Sequence, residues 1–114
     1  MSKFTLADLE RRVKARAKAS AKVSYTRQLL DRGVGQCAKK FGEEAVETAL
    51  AAVGESRKRL TSETADLFYH LLVMLRARNV TLADVEAELA KRQKQSGLAE
   101  KASRGKNSGK KKRR

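Results

Sequence analysis

Leu67-Phe68-Tyr69-His70-Leu71-Leu72-Val73-Met74-Leu75 constrains this chain more than any other stretch. At 100° per residue these side chains surround the whole circumference of a helix, which is therefore expected to be buried on nearly all sides. The run is too short and too interrupted to span a membrane, which takes about 20 apolar residues. A chain of 114 residues is expected to form one domain, and alone it buries only about 60–70% of its surface. A helix apolar all round in so small a chain calls for a partner, most simply an identical subunit. Proline is absent, Ala, Leu, Lys, Arg and Glu dominate, and no segment alternates with period two. The expected fold is all-α: about five helices in a bundle completed by homodimerisation.

Capping signals place the helices at about 5–19, 23–32, 36–53, 58–78 and 81–95. Thr5-Leu6-Ala7-Asp8 and Thr81-Leu82-Ala83-Asp84 both read as capping boxes with an acid at the third helical position. Phe4 with Leu9 and Val80 with Val85 offer hydrophobic staples. Gly33 and Gly35 mark a break, Gly42 interrupts the third helix, Gly54 closes it, and Asn79 suits a left-handed stop. Along the third helix Phe41, Ala45, Ala49, Ala52 and Val53 form an apolar stripe, with Glu43, Glu44 and Glu47 roughly opposite.

Two acidic clusters stand out in the basic chain: Glu43-Glu44-Ala45-Val46-Glu47 and Glu63-Thr64-Ala65-Asp66. As helix, each projects its carboxylates from one face. Like charges at i,i+4 destabilise a helix, and neither Glu43 nor Glu47 has a basic residue four positions on. If the two helices pack side by side, four or five carboxylate oxygens converge, the ligand chemistry of Mg²⁺ or Mn²⁺. A solvated acidic face is the competing reading. Glu63 and Asp66 at the mouth of an apolar helix are costly unless a cation or strong donors meet them. His70, one turn beyond Asp66, reads first as a core histidine hydrogen-bonded to Asp66.

The net charge of +14 is concentrated at one end, because residues 101–114 hold eight Lys/Arg and no acid. The division expected is a folded domain over 1–97 and a basic, disordered tail over 98–114. Such a tail binds nucleic acid weakly at most, having no aromatic residue for stacking. Cys37 is single, so there is no disulfide framework. The N-terminus lacks the apolar stretch of a signal peptide, and a cytoplasmic setting is expected.

The spacing E-E-x-x-E, fifteen residues, E-x-x-D resembles the signature of the MazG-type all-α nucleotide pyrophosphohydrolases. Ser24-Tyr25-Thr26, Lys40-Phe41-Gly42-Glu43-Glu44-Ala45-Val46-Glu47 and Ala65-Asp66-Leu67-Phe68-Tyr69-His70-Leu71-Leu72-Val73 narrow it. Together they resemble the phosphoribosyl-ATP pyrophosphatase family, from about Phe4 to about Arg92. Ala21-Lys22-Val23 departs from the Pro or acidic residues usual before Ser-Tyr-Thr. This resemblance implies hydrolysis of phosphoribosyl-ATP to phosphoribosyl-AMP and pyrophosphate, the second step of histidine biosynthesis. It implies a Mg²⁺, or Mn²⁺, held by Glu44, Glu47, Glu63 and Asp66, which would neutralise the triphosphate and the departing pyrophosphate. The attacking water would be coordinated by the metal or oriented by Glu43, so Glu43, Glu44 and Glu47 are the catalytic candidates. Lys40 and Lys39, and less surely Arg27 and Arg32, would meet phosphates. Lys39–Glu43 and Lys40–Glu44 pairing at i,i+4 is the plainer alternative. Ser24, Tyr25 and Thr26 would line the substrate site, with helix capping as their competing role.

Two other functions fit parts of the chain. A house-cleaning nucleoside triphosphate pyrophosphohydrolase shares the acidic clusters but not the Ser-Tyr-Thr and Tyr-His-Leu-Leu segments. A small basic nucleic-acid-binding protein explains only the tail, since unneutralised acidic clusters repel phosphate.

Overall fold

The computed structural model describes residues 3–94 and residue 101. The described residues form five helices and no strand: α1 (Leu6–Ala17), α2 (Tyr25–Asp31), α3 (Val34–Gly54), α4 (Arg57–Ala77) and α5 (Leu82–Gln93). They divide into two compact units, one ending at Leu82 and one starting at Ala83. The acidic clusters belong to the first. In the second, the remainder of α5 carries Asp84 in its first turn and Lys91 and Arg92 in its last, as the helix dipole favours. The disorder expected over 98–114 falls outside the described residues, Lys101 excepted.

Local chemistry sets the helix ends. At α1 the Thr5 hydroxyl accepts from Asp8 N (3.1 Å) while Asp8 Oδ2 accepts from Thr5 N (2.9 Å). This capping box holds the Asp8 carboxyl below its usual range, chiefly through the Thr5 backbone hydrogen bond. Phe4 stays 66% exposed, so a staple onto Leu9 covers little of it. Ser24 and Ser56 cap α2 and α4 by accepting from Arg27 N (3.0 Å) and Arg59 N (3.1 Å). Gly33, with φ 93°, turns the chain into α3. Asn79, with φ 59°, ends α4 in the left-handed region, and Val80 N reaches back to Leu75 O (2.9 Å).

Helices α3 and α4, joined through Glu55 and Ser56, pack along one another, and α1 and α2 lie against the later part of α4. Val13, Leu29, Cys37, Leu72 and Val73 form the buried core, with Leu9, Leu30, Tyr69, Met74, Leu75 and Leu82 packed against it. The Cys37 thiol donates to Leu29 O (3.4 Å).

Two expectations need correction. Gly42 does not interrupt a helix, because α3 runs through it unbroken. The side of α3 turned inward carries Cys37, Glu44 and Ala51, whereas Ala49, Ala52 and Val53 of the expected stripe are exposed. Of the acidic run, Glu44 therefore meets α4, while Glu43 and Glu47 are exposed. The single chain covers α4 only in part. His70, Leu72 and Val73 are buried, but Leu67, Leu71, Met74 and Leu75 are half-buried and Phe68 is exposed.

Candidate active site

Pairing α3 with α4 brings the two acidic clusters face to face. Glu44 from α3 and Glu63 and Asp66 from α4 each offer an oxygen within 4.8 Å of the others. Glu44 and Glu63 are buried, Asp66 is exposed, so the group opens to solvent on one side. Thr48, one turn beyond Glu44, helps fix the helix spacing: its hydroxyl lies 2.8 Å from Glu44 O and 3.2 Å from Glu63 O.

Two cations border the carboxylates. Arg59 Nη2 lies 2.7 Å from Glu63 Oε2, and its Nε donates to Glu55 at 3.2 Å. Lys40 Nζ lies 3.6 Å from Glu44 and 3.8 Å from Glu43. These contacts leave Glu63 Oε1 buried without a hydrogen-bond partner. Burial, followed by the charges of Glu47, Glu44 and Asp66, raises the Glu63 pKa against the opposing pull of Arg59. An orphaned, desolvated carboxylate oxygen facing two further carboxylates fits a hard divalent cation, which binds through oxygen ligands. Glu47 is exposed and lies outside the close group, though near enough for its charge to act on Glu63.

An aromatic and hydroxyl cluster flanks the acids. Tyr69 and Tyr25 both set ring edges against His70, with centroids 4.9 Å and 6.2 Å away. Tyr69 OH lies 2.5 Å from Thr26 Oγ1. The expected His70–Asp66 hydrogen bond does not form: His70 Nδ1 is buried without a partner. Burial lowers the pKa of His70, with Glu44 and Asp66 pulling the other way. The helix places Asp66 one turn away, close enough to act through space.

The remaining candidates divide by what already holds them. Ser24 is fully buried, caps α2, and donates to Arg16 O (2.7 Å), so its hydroxyl is committed to the fold. Arg27 is tied to Asp31 (2.8 Å) and to Ala17 O (3.3 Å). Tyr25 is 49% exposed beside His70. Lys39 is exposed and makes no ion pair among the described residues, so the alternative pairing with Glu43 is not seen. Lys40 does pair as i,i+4 spacing suggests, yet at distances long enough to leave its donors within reach of another anion. Burial depresses the Lys40 pKa, but Tyr25, Glu44 and Glu43 together outweigh it and the net shift is upward, so the ammonium stays charged. Sequence reasoning missed Arg59, although its place four residues before Glu63 was a usable signal. It also missed Tyr69, whose contact with Thr26 spans 43 residues and leaves no local trace.

Comparison with known proteins gives the family. Residues 6–93 match the family described as phosphoribosyl-ATP pyrophosphohydrolase. A phosphoribosyl-ATP pyrophosphatase of Azorhizobium caulinodans is 64% identical over 102 residues, covering 90% of this chain and 94% of that protein. A phosphoribosyl-ATP pyrophosphatase 1 of Bradyrhizobium diazoefficiens is 58% identical over 104 residues, covering 91% and 98%. One from Nitrobacter hamburgensis is 55% identical with 91% and 97% covered. The match spans all five helices and both acidic clusters, and the chain belongs to the phosphoribosyl-ATP pyrophosphohydrolase family.

Proposed function

We propose that the carboxylates between α3 and α4 make this chain a metal-dependent hydrolase of phosphoribosyl-ATP, yielding phosphoribosyl-AMP and pyrophosphate in histidine biosynthesis. The observation that carries it is the convergence of Glu44, Glu63 and Asp66 within 4.8 Å beside a buried, unpartnered Glu63 oxygen. The names of the relatives supply the substrate.

Glu44, Glu63 and Asp66 would hold Mg²⁺, with Mn²⁺ as substitute, and Glu47 would complete the carboxylate set. Bound there, the cation would supply charge neutralisation for the triphosphate and for the departing pyrophosphate. The chain's own part is positioning and proton handling. Lys40 exchanges its loose contacts with Glu43 and Glu44 for a phosphate oxygen. Glu43, its side chain 49% exposed, orients the attacking water and takes its proton at the carboxylate as the α-phosphorus is attacked. The bond between the α- and β-phosphates then breaks, and pyrophosphate leaves.

Homodimerisation belongs to the same proposal. Gly42, Val46, Leu50 and Val53 follow one another at helical spacing on the outer side of α3. Val46, Leu50 and Val53 are 60%, 61% and 87% exposed, and Phe68 of α4 adds to the uncovered apolar surface. A second copy is the simplest cover for it. No helix among the described residues is long and apolar enough to cross a membrane, which accords with a cytoplasmic enzyme.

Pyrophosphate release from phosphoribosyl-ATP, with and without Mg²⁺, tests the reading. Turnover should need the metal, and Asp66→Asn should lower it by about 10²-fold or more, the scale of losing a preorganised electrostatic contact. Preference for ordinary or damaged nucleoside triphosphates would favour the house-cleaning alternative, and full activity in EDTA would remove the metal from the mechanism.

A further inference from the structure

Beside the acidic group, on the side of α4 that carries Tyr69, lies a cavity of about 300 Å³. Arg12 and Arg16 of α1, Val23 of the loop, Tyr25 and Thr26 of α2 and Tyr69 of α4 contribute to its wall. Its lining contains two guanidinium groups and no carboxylate. Of the α1 and α2 cations, Arg11 and Arg27 are paired with Asp8 and Asp31, whereas the two arginines of the cavity make no ion pair among the described residues. Arg16 is half-buried and held by its Nη2, which donates to Val23 O at 2.6 Å. The rest of its donor fork remains for a ligand. Arg12 is exposed and makes no ion pair among the described residues.

Position suggests which anion belongs here. Asp66 and Tyr69 are three residues apart on α4, an axial rise of about 4.5 Å. Tyr69 thus ties the cavity wall to the carboxylate-bearing stretch of α4, and Tyr25 and Tyr69 of that wall both set their rings against His70. A phosphoribosyl-ATP molecule carries negative charge at both ends: a triphosphate, and a phosphomonoester on the second ribose. The acidic group, with metal, suits the triphosphate. A cation-lined cavity with hydroxyls and aromatic walls suits a phosphorylated pentose, whose phosphate favours arginine forks and whose hydroxyls favour Tyr and Thr.

We propose that this cavity is the subsite for the phosphoribosyl group, with Arg12 and Arg16 gripping its phosphate. It rests on the proposed hydrolysis of phosphoribosyl-ATP and deepens it. The subsite distinguishes this substrate from a plain nucleoside triphosphate, which has nothing to place there. Arg16 also fixes the Val23 carbonyl, so occupancy of the cavity and the shape of the loop before α2 are linked.

The same phosphate chemistry could come from the far end of the triphosphate, and two inhibitors separate the sources. Ribose 5-phosphate should compete with phosphoribosyl-ATP through the cavity, and ATP through the metal site. Arg12→Gln should raise the inhibition constant of ribose 5-phosphate by about tenfold, the usual effect of losing one charged hydrogen bond, and leave that of ATP unmoved. Arg16→Lys, which keeps the charge but loses the fork, should act in the same direction. Arg11→Gln, a neighbouring cation on α1 that pairs with Asp8 and does not line the cavity, should change neither constant. Equal weakening of both inhibitors would assign the arginines to the triphosphate and overturn the proposal, as would failure of ribose 5-phosphate to compete. If the enzyme does not turn over phosphoribosyl-ATP, the functional reading fails first. Calorimetry of ribose 5-phosphate with the full chain in EDTA still reads the cavity: binding lost in Arg12→Gln upholds it, and no binding to the parent ends it.

Discussion

Glu63 is the residue at which structure and chemistry conflict most openly. Its carboxyl is buried, one oxygen lacks a partner, and its pKa is raised above the ordinary 4.5, first by burial and then by its acidic neighbours. A raised acid pKa means that the folded state binds the extra proton between 4.5 and the folded value. Stability of the metal-free protein should therefore fall as pH rises through that window, with the penalty complete above it. Glu63→Gln removes the penalty, so in EDTA at neutral pH the variant should melt no lower than the parent, while turnover drops by about 10²-fold or more. The exposed Arg59 loses little by giving up its partner. The opposite pattern, lost stability with activity kept, would mark a structural carboxylate and sink the metal assignment. Cys37 makes a simpler case. It is 1% exposed and burial raises its pKa above the usual 9.0, so the reactive thiolate is suppressed. A thiol reagent should label the native protein only as fast as it unfolds; rapid labelling would contradict the packed core. From sequence alone the acidic spacing was readable for Glu44, Glu63 and Asp66. The unpaired state of Glu63 Oε1 was not, because it depends on where Arg59 and Thr48 settle after the helices pack.

At the scale of the helices, ends were legible and faces were not. Thr5, Ser24, Asn79 and Gly33 act through bonds to residues three to five positions away or through their own φ, and such signals survive in the sequence whatever the tertiary fold. Asn79 allows a direct check. Its φ of 59° suits Asn and Gly but strains a residue with an ordinary Cβ, so Asn79→Ala should cost about 1 kcal/mol. Asn79→Gly should be close to neutral in a urea melt. Equal stability of the two variants would mean that the end of α4 relaxes out of the left-handed region. The inner face of α3 was misassigned for a physical reason. Hydrophobic periodicity identifies the face that must be covered, without saying which chain covers it. Here Cys37, Glu44 and Ala51 turn toward α4 within the chain, and Val46, Leu50 and Val53 are left on the outside.

That outer stripe sets the expectation for the whole molecule. The tail beyond Leu98 carries half of the net charge but none of the carboxylates of the α3–α4 group and none of the cavity residues. Truncation after Leu98 should therefore leave kcat nearly unchanged and remove salt-dependent binding to RNA. A large loss of kcat would place the tail at the substrate. The folded part should behave as a dimer in sedimentation equilibrium at micromolar concentration, because α3 and α4 present apolar surface that a chain this small cannot cover alone. Val53 makes the test selective. At 87% exposure it contributes little to the fold of one chain, and a substitution at such a site ordinarily moves stability by no more than about 0.5 kcal/mol. Val53→Glu with Leu50→Glu should therefore leave helix content intact while driving the protein to monomer, since the interface would oppose like charges. Lower activity in that monomer would indicate that the α3–α4 pair needs its neighbour to hold the carboxylates in place. A parent protein that sediments as a well-folded monomer would instead show that the stripe is ordinary surface, and the reading of α3 as an interface helix would fall with it.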